Sequence, residues 1–393
     1  MKKTLLTAAL VAGFASVSVA QAETSVTLYG IVDGGLAYTN QKTSFSGGFG
    51  GGSFKERGFD FRSGVKNGSR WGLRGVEDLG NGTSAIFQLE SGFDLGDGTS
   101  TQGGRLFGRK AVVGLTGESW GTVTIGRQYN AADDFIAPID PFGTGWAQAA
   151  SVSAFGDVLS ARVDNSIKYV SPNFSGVQFG LGYYGENNKE TYRNGAGGGY
   201  EKDIRGTGIT FGLGYKNGPI EAGFSFDYYN DKDKFNGVTT KDDKTKSWNL
   251  GFAYDFDVVK LHLIYGQQSD GAIGGIGLAE DISLLPEGFD NVADLGIAQD
   301  GYRQKSWLVG LTAPVSDAGK VLFSYTGNNI KNNDVWDGKI TSHIFNLGYQ
   351  HSLSKRTSVY AVASYGQSKL KVDNFGQAKL KSTEVIVGMQ HRF

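Results

Sequence analysis

Cysteine is absent from all 393 residues, so disulfides contribute nothing to the fold and a small disulfide-stapled secreted scaffold is excluded. Only 6 prolines and 4 histidines occur. Net charge is also missing: 38 Lys and Arg balance 39 Asp and Glu, which argues against a nucleic-acid-binding or polybasic membrane-surface protein. Beyond the first twenty or so positions no run of eighteen apolar residues appears, so no transmembrane helix is expected there. What the chain does have is 61 glycines, more than twice the usual share of about 7%, with 25 Phe, 18 Tyr and 6 Trp. The glycines follow no G-X-Y period, which excludes collagen, and the aromatics exclude a disordered chain.

The N-terminus reads as an export signal. Lys2 and Lys3 precede an apolar run from Leu5 to Ala20, and Ala20-Gln21-Ala22 gives the small-x-small pattern of a signal peptidase site. The expectation is a cleaved peptide over residues 1–22 and one domain over 23–393.

In that domain the apolar signal repeats every second residue. Val177, Phe179, Leu181 and Tyr183 alternate with Gln178, Gly180, Gly182 and Tyr184, and Ile209, Phe211, Leu213 and Tyr215 alternate with Thr210, Gly212, Gly214 and Lys216. Such strands have one apolar face and one glycine-rich or polar face. Alternation alone fits a soluble sandwich as well as a membrane barrel. Three features favour the barrel. The segments run to about ten residues, the length of a tilted membrane-crossing strand. Short connections (80–82, 119–121, 217–219, 354–356) alternate with long ones (41–67, 131–161, 231–245, 270–301), as in bacterial outer-membrane barrels. Tyrosines such as Tyr183, Tyr215, Tyr254, Tyr325 and Tyr349 close apolar faces near strand ends, where an amphipathic ring prefers the membrane interface.

Sixteen segments can be counted: about 25–39, 69–79, 83–95, 106–118, 122–129, 162–172, 177–187, 206–216, 220–230, 247–256, 258–269, 303–313, 320–329, 341–352, 357–369 and 383–393. An even count places both termini on the short-turn side, where the first strand can close against the last. The predicted fold is an all-β, sixteen-stranded antiparallel transmembrane β-barrel enclosing an aqueous channel. Glycines at inward positions (Gly35, Gly72, Gly180, Gly182, Gly212, Gly214, Gly251, Gly348) suit a lumen that water fills, or else mark bulges and bends.

Four stretches carry a family resemblance over the whole chain: Ser25-Val26-Thr27-Leu28-Tyr29-Gly30-Ile31-Val32-Asp33, the arm Ser69-Arg70-Trp71-Gly72-Leu73-Arg74-Gly75-Val76-Glu77-Asp78-Leu79-Gly80, Gly126-Arg127-Gln128 before the third long loop, and the terminal Phe393. In these it resembles the general diffusion porins of Gram-negative bacteria, of the neisserial and beta-proteobacterial type. The resemblance implies a homotrimer set in outer-membrane lipid and lipopolysaccharide, passing ions and small hydrophilic solutes. It also implies a third loop, about 131–161, folded inward to narrow the pore, and a terminal Phe393 read by the barrel-assembly machinery.

Strand parity nominates the constriction. Arg70 and Arg162 have lumen parity, and Arg70, Arg109 and Arg162 each lie ten residues before a short-side turn (Gly80, Ser119, Pro172), hence at similar height. Arg74, Lys168, Lys260 and His262 share lumen parity lower down. Asp33, Glu90, Asp94 and Asp227 have it too and partly offset the basic count. Loop 131–161 supplies Asp133, Asp134, Asp140 and Asp157, and its Pro138-Ile139-Asp140-Pro141-Phe142-Gly143 turn is stiffened by proline. By the resemblance, the three arginines form the basic wall and Asp140 is the facing acid, although the family's usual Pro-Glu-Phe-Gly is here Pro141-Phe142-Gly143. Opposed charges would leave a transverse field, and weak anion preference is the expectation. Arginine–carboxylate pairs that merely tie the loop down are the plainer alternative. Arg127 has lipid-facing parity, so either its strand has ended or it pairs across a subunit boundary.

An enzyme is not expected. No G-x-S-x-G or H-E-x-x-H occurs, the four histidines lack metal-type spacing, and the glycine cluster 47–52 opens no helix that would bind phosphate. Neither a cofactor, a metal nor a nucleic-acid partner is expected. A ligand-specific channel would want an aromatic track, which Tyr29, Tyr184, Tyr229 and Tyr360 do not obviously form.

Overall fold

A computed structural model describes residues 25–193, 198–270, 301–332 and 336–393. The expected signal peptide and most of the 270–301 connection lie outside the described residues. The strands are β1 (Ser25–Gly47), β2 (Gly52–Ser63), β3 (Arg70–Gly80), β4 (Thr83–Gly92), β5 (Lys110–Gly117), β6 (Gly121–Tyr129), β7 (Arg162–Val170), β8 (Val177–Arg193) and β9 (Gly199–Asn217). They continue as β10 (Ile220–Phe235), β11 (Val238–Asp255), β12 (Lys260–Ser269), β13 (Tyr302–Pro314), β14 (Gly319–Asn332), β15 (Trp336–Ser352), β16 (Thr357–Val372) and β17 (Gly376–Arg392). From β3 onward each strand pairs antiparallel with the next, and β1 closes the ring against β17 from Ile31↔Arg392 to Gly47↔Gly376. β3 lies beside the first half of β1 (Ser25↔Val76 to Ile31↔Arg70) and β2 beside the second (Gly34↔Ser63 to Phe45↔Gly52). They are two halves of one barrel strand, interrupted at 64–69, so the seventeen segments make a closed sixteen-stranded barrel.

Burial runs opposite to that of a soluble protein. On β17, Val385, Val387 and Met389 are exposed on the outside, whereas Ser382, Glu384 and Gln390 are buried facing the lumen. On β16, Val359 and Tyr365 are exposed while Ser358 and Ser364 are buried. Only lipid makes an exposed apolar belt favourable over a polar interior, and hydrocarbon also requires the ring to close because it cannot satisfy an open strand edge.

Turn chemistry fixes the registers. Asn81 (φ 52°) and Gly82 (φ 70°) join β3 to β4 with both residues in the left-handed region, the signature of a type I′ hairpin. On the opposite rim, however, two connections expected to be long loops are largely strand. β1 and β2 occupy most of 41–67, and β10 and β11 meet at the two-residue turn Asn236-Gly237 within 231–245. The alternation that identifies a strand disappears above the membrane, where both faces meet water. Backbone pairing continues regardless, and β2 is exposed along almost its whole length.

Candidate pore constriction

β6 ends at Tyr129, and the chain from Asn130 to Ala161 packs against the lumen face of the barrel. Asn130 starts it: its side chain accepts from Asp133 N and donates to Val158 O (2.7 Å) and to Asp227 on β10 (3.1 Å). Ala131 N donates to Thr210 on β9 at 2.7 Å. Farther along, the ring of His262 on β12 meets Ile139 O (2.7 Å) and Thr312 on β13 (3.1 Å), and Trp146 N donates to Val65 O (2.6 Å). Ala154 O accepts from Gln304, Ser306 and Asn328 on β13 and β14. His262, to which the sequence alone assigns no use, is a tether for the loop.

Five of the eight inward glycines named from the sequence have a different reason from the one expected, while Gly35, Gly72 and Gly182 lie against other barrel residues. A Cβ at Gly180, Gly212 or Gly214 would sit 2.9, 2.2 or 2.7 Å from the Phe135 ring, and one at Gly223 would sit 2.2 Å from Phe135 O. Gly251 receives Ile139 (2.5 Å), Gly310 receives Pro141 (2.6 Å) and Gly348 receives Phe142 (2.8 Å). These positions are neither water-filled space nor bulges. Each is a seat for the loop, filled by an apolar side chain or, at Gly223, by the Phe135 backbone, and close packing admits no side chain there. Trp146 completes the contact, edge-on to Tyr360 at 5.1 Å, in a cluster with Val65, Phe142, Leu322 and Ile386.

On the wall opposite the loop anchors, Arg70 (β3), Arg109 (just before β5) and Arg162 (β7) come together. Arg109 Nε donates to Glu90 at 2.7 Å, and Arg70 Nη1 lies 3.5 Å from the same carboxylate oxygen. Tyr29 OH also donates to Glu90, at 3.0 Å. Tyr129 joins the other side: its hydroxyl accepts from Arg109 (3.2 Å) and from Arg162, whose guanidinium covers the ring at 4.4 Å. Two guanidiniums thus share one carboxylate, and Tyr129 links the third to them. Arg74 stands apart over the Tyr29 ring at 5.5 Å. Glu90 and Tyr129 are the two members that parity reasoning underrates. Parity puts Glu90 in the lumen but makes it only an offsetting acid. Tyr129 follows a register shift between Gly126 and Gln128, which destroys the parity by which it would be read.

The four loop acids do not form one facing wall. Asp140 is 4% exposed and spent on its own loop, accepting from the backbone N–H of Phe142 (2.8 Å), Thr144 (3.0 Å) and Ser151 (3.1 Å). Burial pushes its carboxyl above the usual carboxylate range, these hydrogen bonds working the other way. Asp133 accepts from the Ser160 hydroxyl and is likewise raised by burial. Asp134 pairs with Lys168 Nζ at 2.6 Å, and the same ammonium reaches Tyr129 O at 2.9 Å, so Lys168 ties the loop to β7. Asp157 alone stays exposed, within the field of Arg162. Arg127 does face outward, but it needs no second subunit: it pairs with Asp164 at 2.6 Å and donates to Gly108 O, while Arg105 holds the same carboxylate at 2.8 Å.

A closed ring of strands with an apolar outside, a polar inside and a loop packed across its bore defines a membrane channel protein. The chain belongs to the Gram-negative porin family, whose model matches residues 6–371. It is 43% identical to an outer membrane porin protein of Bordetella pertussis and 31% identical to Outer membrane porin protein 32 of Delftia acidovorans, each alignment covering both chains completely. Among solved structures it is similar to an anion-selective porin from Comamonas acidovorans, with a TM-score of 0.66 and 27% identity over 94% of this chain and 100% of that one. It is an outer-membrane porin of a Gram-negative bacterium, a water-filled channel for diffusion.

Proposed function

We propose that this porin passes ions and small hydrophilic solutes without catalysis, and that it weakly prefers anions. The observation that carries the preference is the cluster in which Arg70 and Arg109 share the single carboxylate of Glu90 and Arg162 joins them through Tyr129. Three guanidiniums stand there against Glu90 and the exposed Asp157, while the other three loop acids are engaged in hydrogen bonds or an ion pair. An unbalanced charge at a narrow, partly desolvated passage selects against ions of its own sign. The name of the anion-selective Comamonas porin agrees with this reading.

The reversal potential of the purified protein across a potassium chloride gradient in a planar bilayer tests it. An anion-sided value is expected, moving toward cations in Arg70→Glu with Arg109→Glu; a cation-sided value for the parent protein would end the proposal. We also propose that residues 1–22 are removed on export, that three copies associate, and that Phe393 serves assembly. The Phe393 backbone exchanges hydrogen bonds with Gly30 at 3.1 Å in each direction, a terminus built into the seam of the ring. Single-channel insertions should close in three steps, and the mature N-terminus should begin at Glu23.

A further inference from the structure

Below the loop, toward the short-turn rim, a second group of cations faces the lumen: Lys260, Lys320 and Arg392, with Lys66 behind. Lys260 is compensated by Glu221 at 2.9 Å. Among the described residues neither Lys320, Arg392 nor Lys66 has a carboxylate within ion-pair distance of its charged group. Lys66 enters from the interruption at 64–69 and is 8% exposed. Its ammonium donates to Ser358 Oγ at 3.1 Å and lies 5.8 Å from the centre of the Trp146 ring, close enough to Lys320 and Arg392 for their charges to bear on it.

One acid is nearby. Asp33 is fully buried, and its oxygens accept from Lys66 N (3.1 Å), Tyr360 OH (2.7 Å) and Gln390 Nε2 (2.9 Å). Arg392 Nε donates to Gln390 Oε1 at 3.2 Å. The registers Lys320↔Gln350, Gln350↔Tyr360 and Tyr360↔Gly388 carry the row of Lys320 across to β17 four residues before Arg392, at the same short-turn end of the wall. β14 and β17 are three strand spacings apart, about 14 Å, with about 13 Å more along the strand; the long side chains close most of that gap, so that the charges of Lys320 and Arg392 bear on each other.

Lys320 and Arg392, with a share from Lys66, whose ammonium pKa is lowered by burial to about 7, outnumber the one carboxylate on a half-buried wall at neutral pH. We infer that Lys320, Arg392 and Lys66 form a binding station for a multivalent oxyanion of the phosphate class, at the short-turn mouth and separate from the cluster around Glu90. A guanidinium matches two oxyanion oxygens at once, an ammonium adds a point charge, and partial desolvation strengthens both. A multivalent oxyanion can answer Lys320 and Arg392 at once; chloride carries one charge and cannot span the two sides. The station extends the proposed anion preference but is separable from it.

The test titrates inorganic phosphate at neutral pH into one side of a bilayer holding the full-length mature porin at constant potassium chloride. Chloride current should fall saturably. Lys320→Gln with Arg392→Gln should raise the half-saturating concentration at least tenfold, whereas Lys305→Gln on the outer surface should not change it. Because Arg392 adjoins the assembly seam, Lys320→Gln alone is the second variant, with a several-fold increase expected. A current that does not saturate, or an equal half-saturation in parent and variants, overturns the station. So does a loss seen in Arg109→Gln but not in Lys320→Gln. Reversal potentials in potassium chloride alone, on the same preparations, judge the anion preference independently.

Discussion

Arg109 and Glu90 meet at 2.7 Å with both side chains more than nine-tenths buried, and this contact shapes the whole basic wall. The carboxylate holds Arg70 as well, so neither guanidinium is free to swing toward the loop. Glu90→Gln should therefore increase anion preference, read as a more anion-sided reversal potential. It should also destabilise the folded barrel by about 2 kcal/mol, because the two cations lose their shared partner. Urea denaturation in detergent measures the second effect, and an unchanged midpoint would show that water already screens the pair.

Gly212→Leu tests the seating of the loop. A Cβ there would lie 2.2 Å from Phe135, so the ring must leave its seat and the first turn of the loop must shift toward the axis. Overpacking of this kind costs about 1–3 kcal/mol. Single-channel conductance should change in the same variant, and Gly58→Leu, on exposed β2 with open space around it, should leave conductance as it was.

Asp140 and Asp157 should separate as structural and electrostatic acids. Asp140→Asn leaves one acceptor oxygen of two, so at least one of the three backbone N–H groups faces an NH2 instead, and stability should fall by about 1–3 kcal/mol with little shift in reversal potential. Asp157→Asn should do the opposite, moving the potential toward anions at nearly constant stability. Equal behaviour of the two variants would contradict this division.

Acidification should strengthen anion preference. Burial raises the carboxyls of Asp133 and Asp157, so as pH falls they take up protons before an ordinary carboxylate near about 3.9, while the arginines stay charged. Net lumen charge then grows more positive. By linkage, a raised carboxyl favours the folded state at low pH and loses that contribution as pH rises through its folded value. Reversal potentials measured stepwise from neutral to about pH 4 should move monotonically toward anions.

The period-two pattern makes the barrel legible in the sequence, because lipid and water sort residues so sharply: Val385, Val387 and Met389 against Ser382, Glu384 and Gln390 show it within one strand. Parity also places Arg70, Arg162, Lys260 and His262 on the lumen side. It fails where the sorting stops. β2 and the tips of β10 and β11 meet water on both faces, so strand reads as loop. Beyond the register shift at Gly126, parity no longer locates Tyr129. The acids of the loop escape it for another reason: whether Asp140 faces an arginine or its own backbone depends on a turn closed between Asp140 and Ser151, which no periodicity encodes. The glycines are visible, but their purpose is not, since a seat is defined by the side chain that fills it.

That seating ties the aperture to the shape of the ring. One segment rests on β8 to β13, on β15 and on β16, about half of the circumference, through Phe135, Ile139, Pro141, Phe142 and Trp146. A squeeze across any diameter, from a thicker bilayer or a crowded neighbour, displaces at least one of these supports. The passage therefore behaves less like a hole with a flap than like an iris held by its rim, its opening answering to lateral stress in the surrounding membrane.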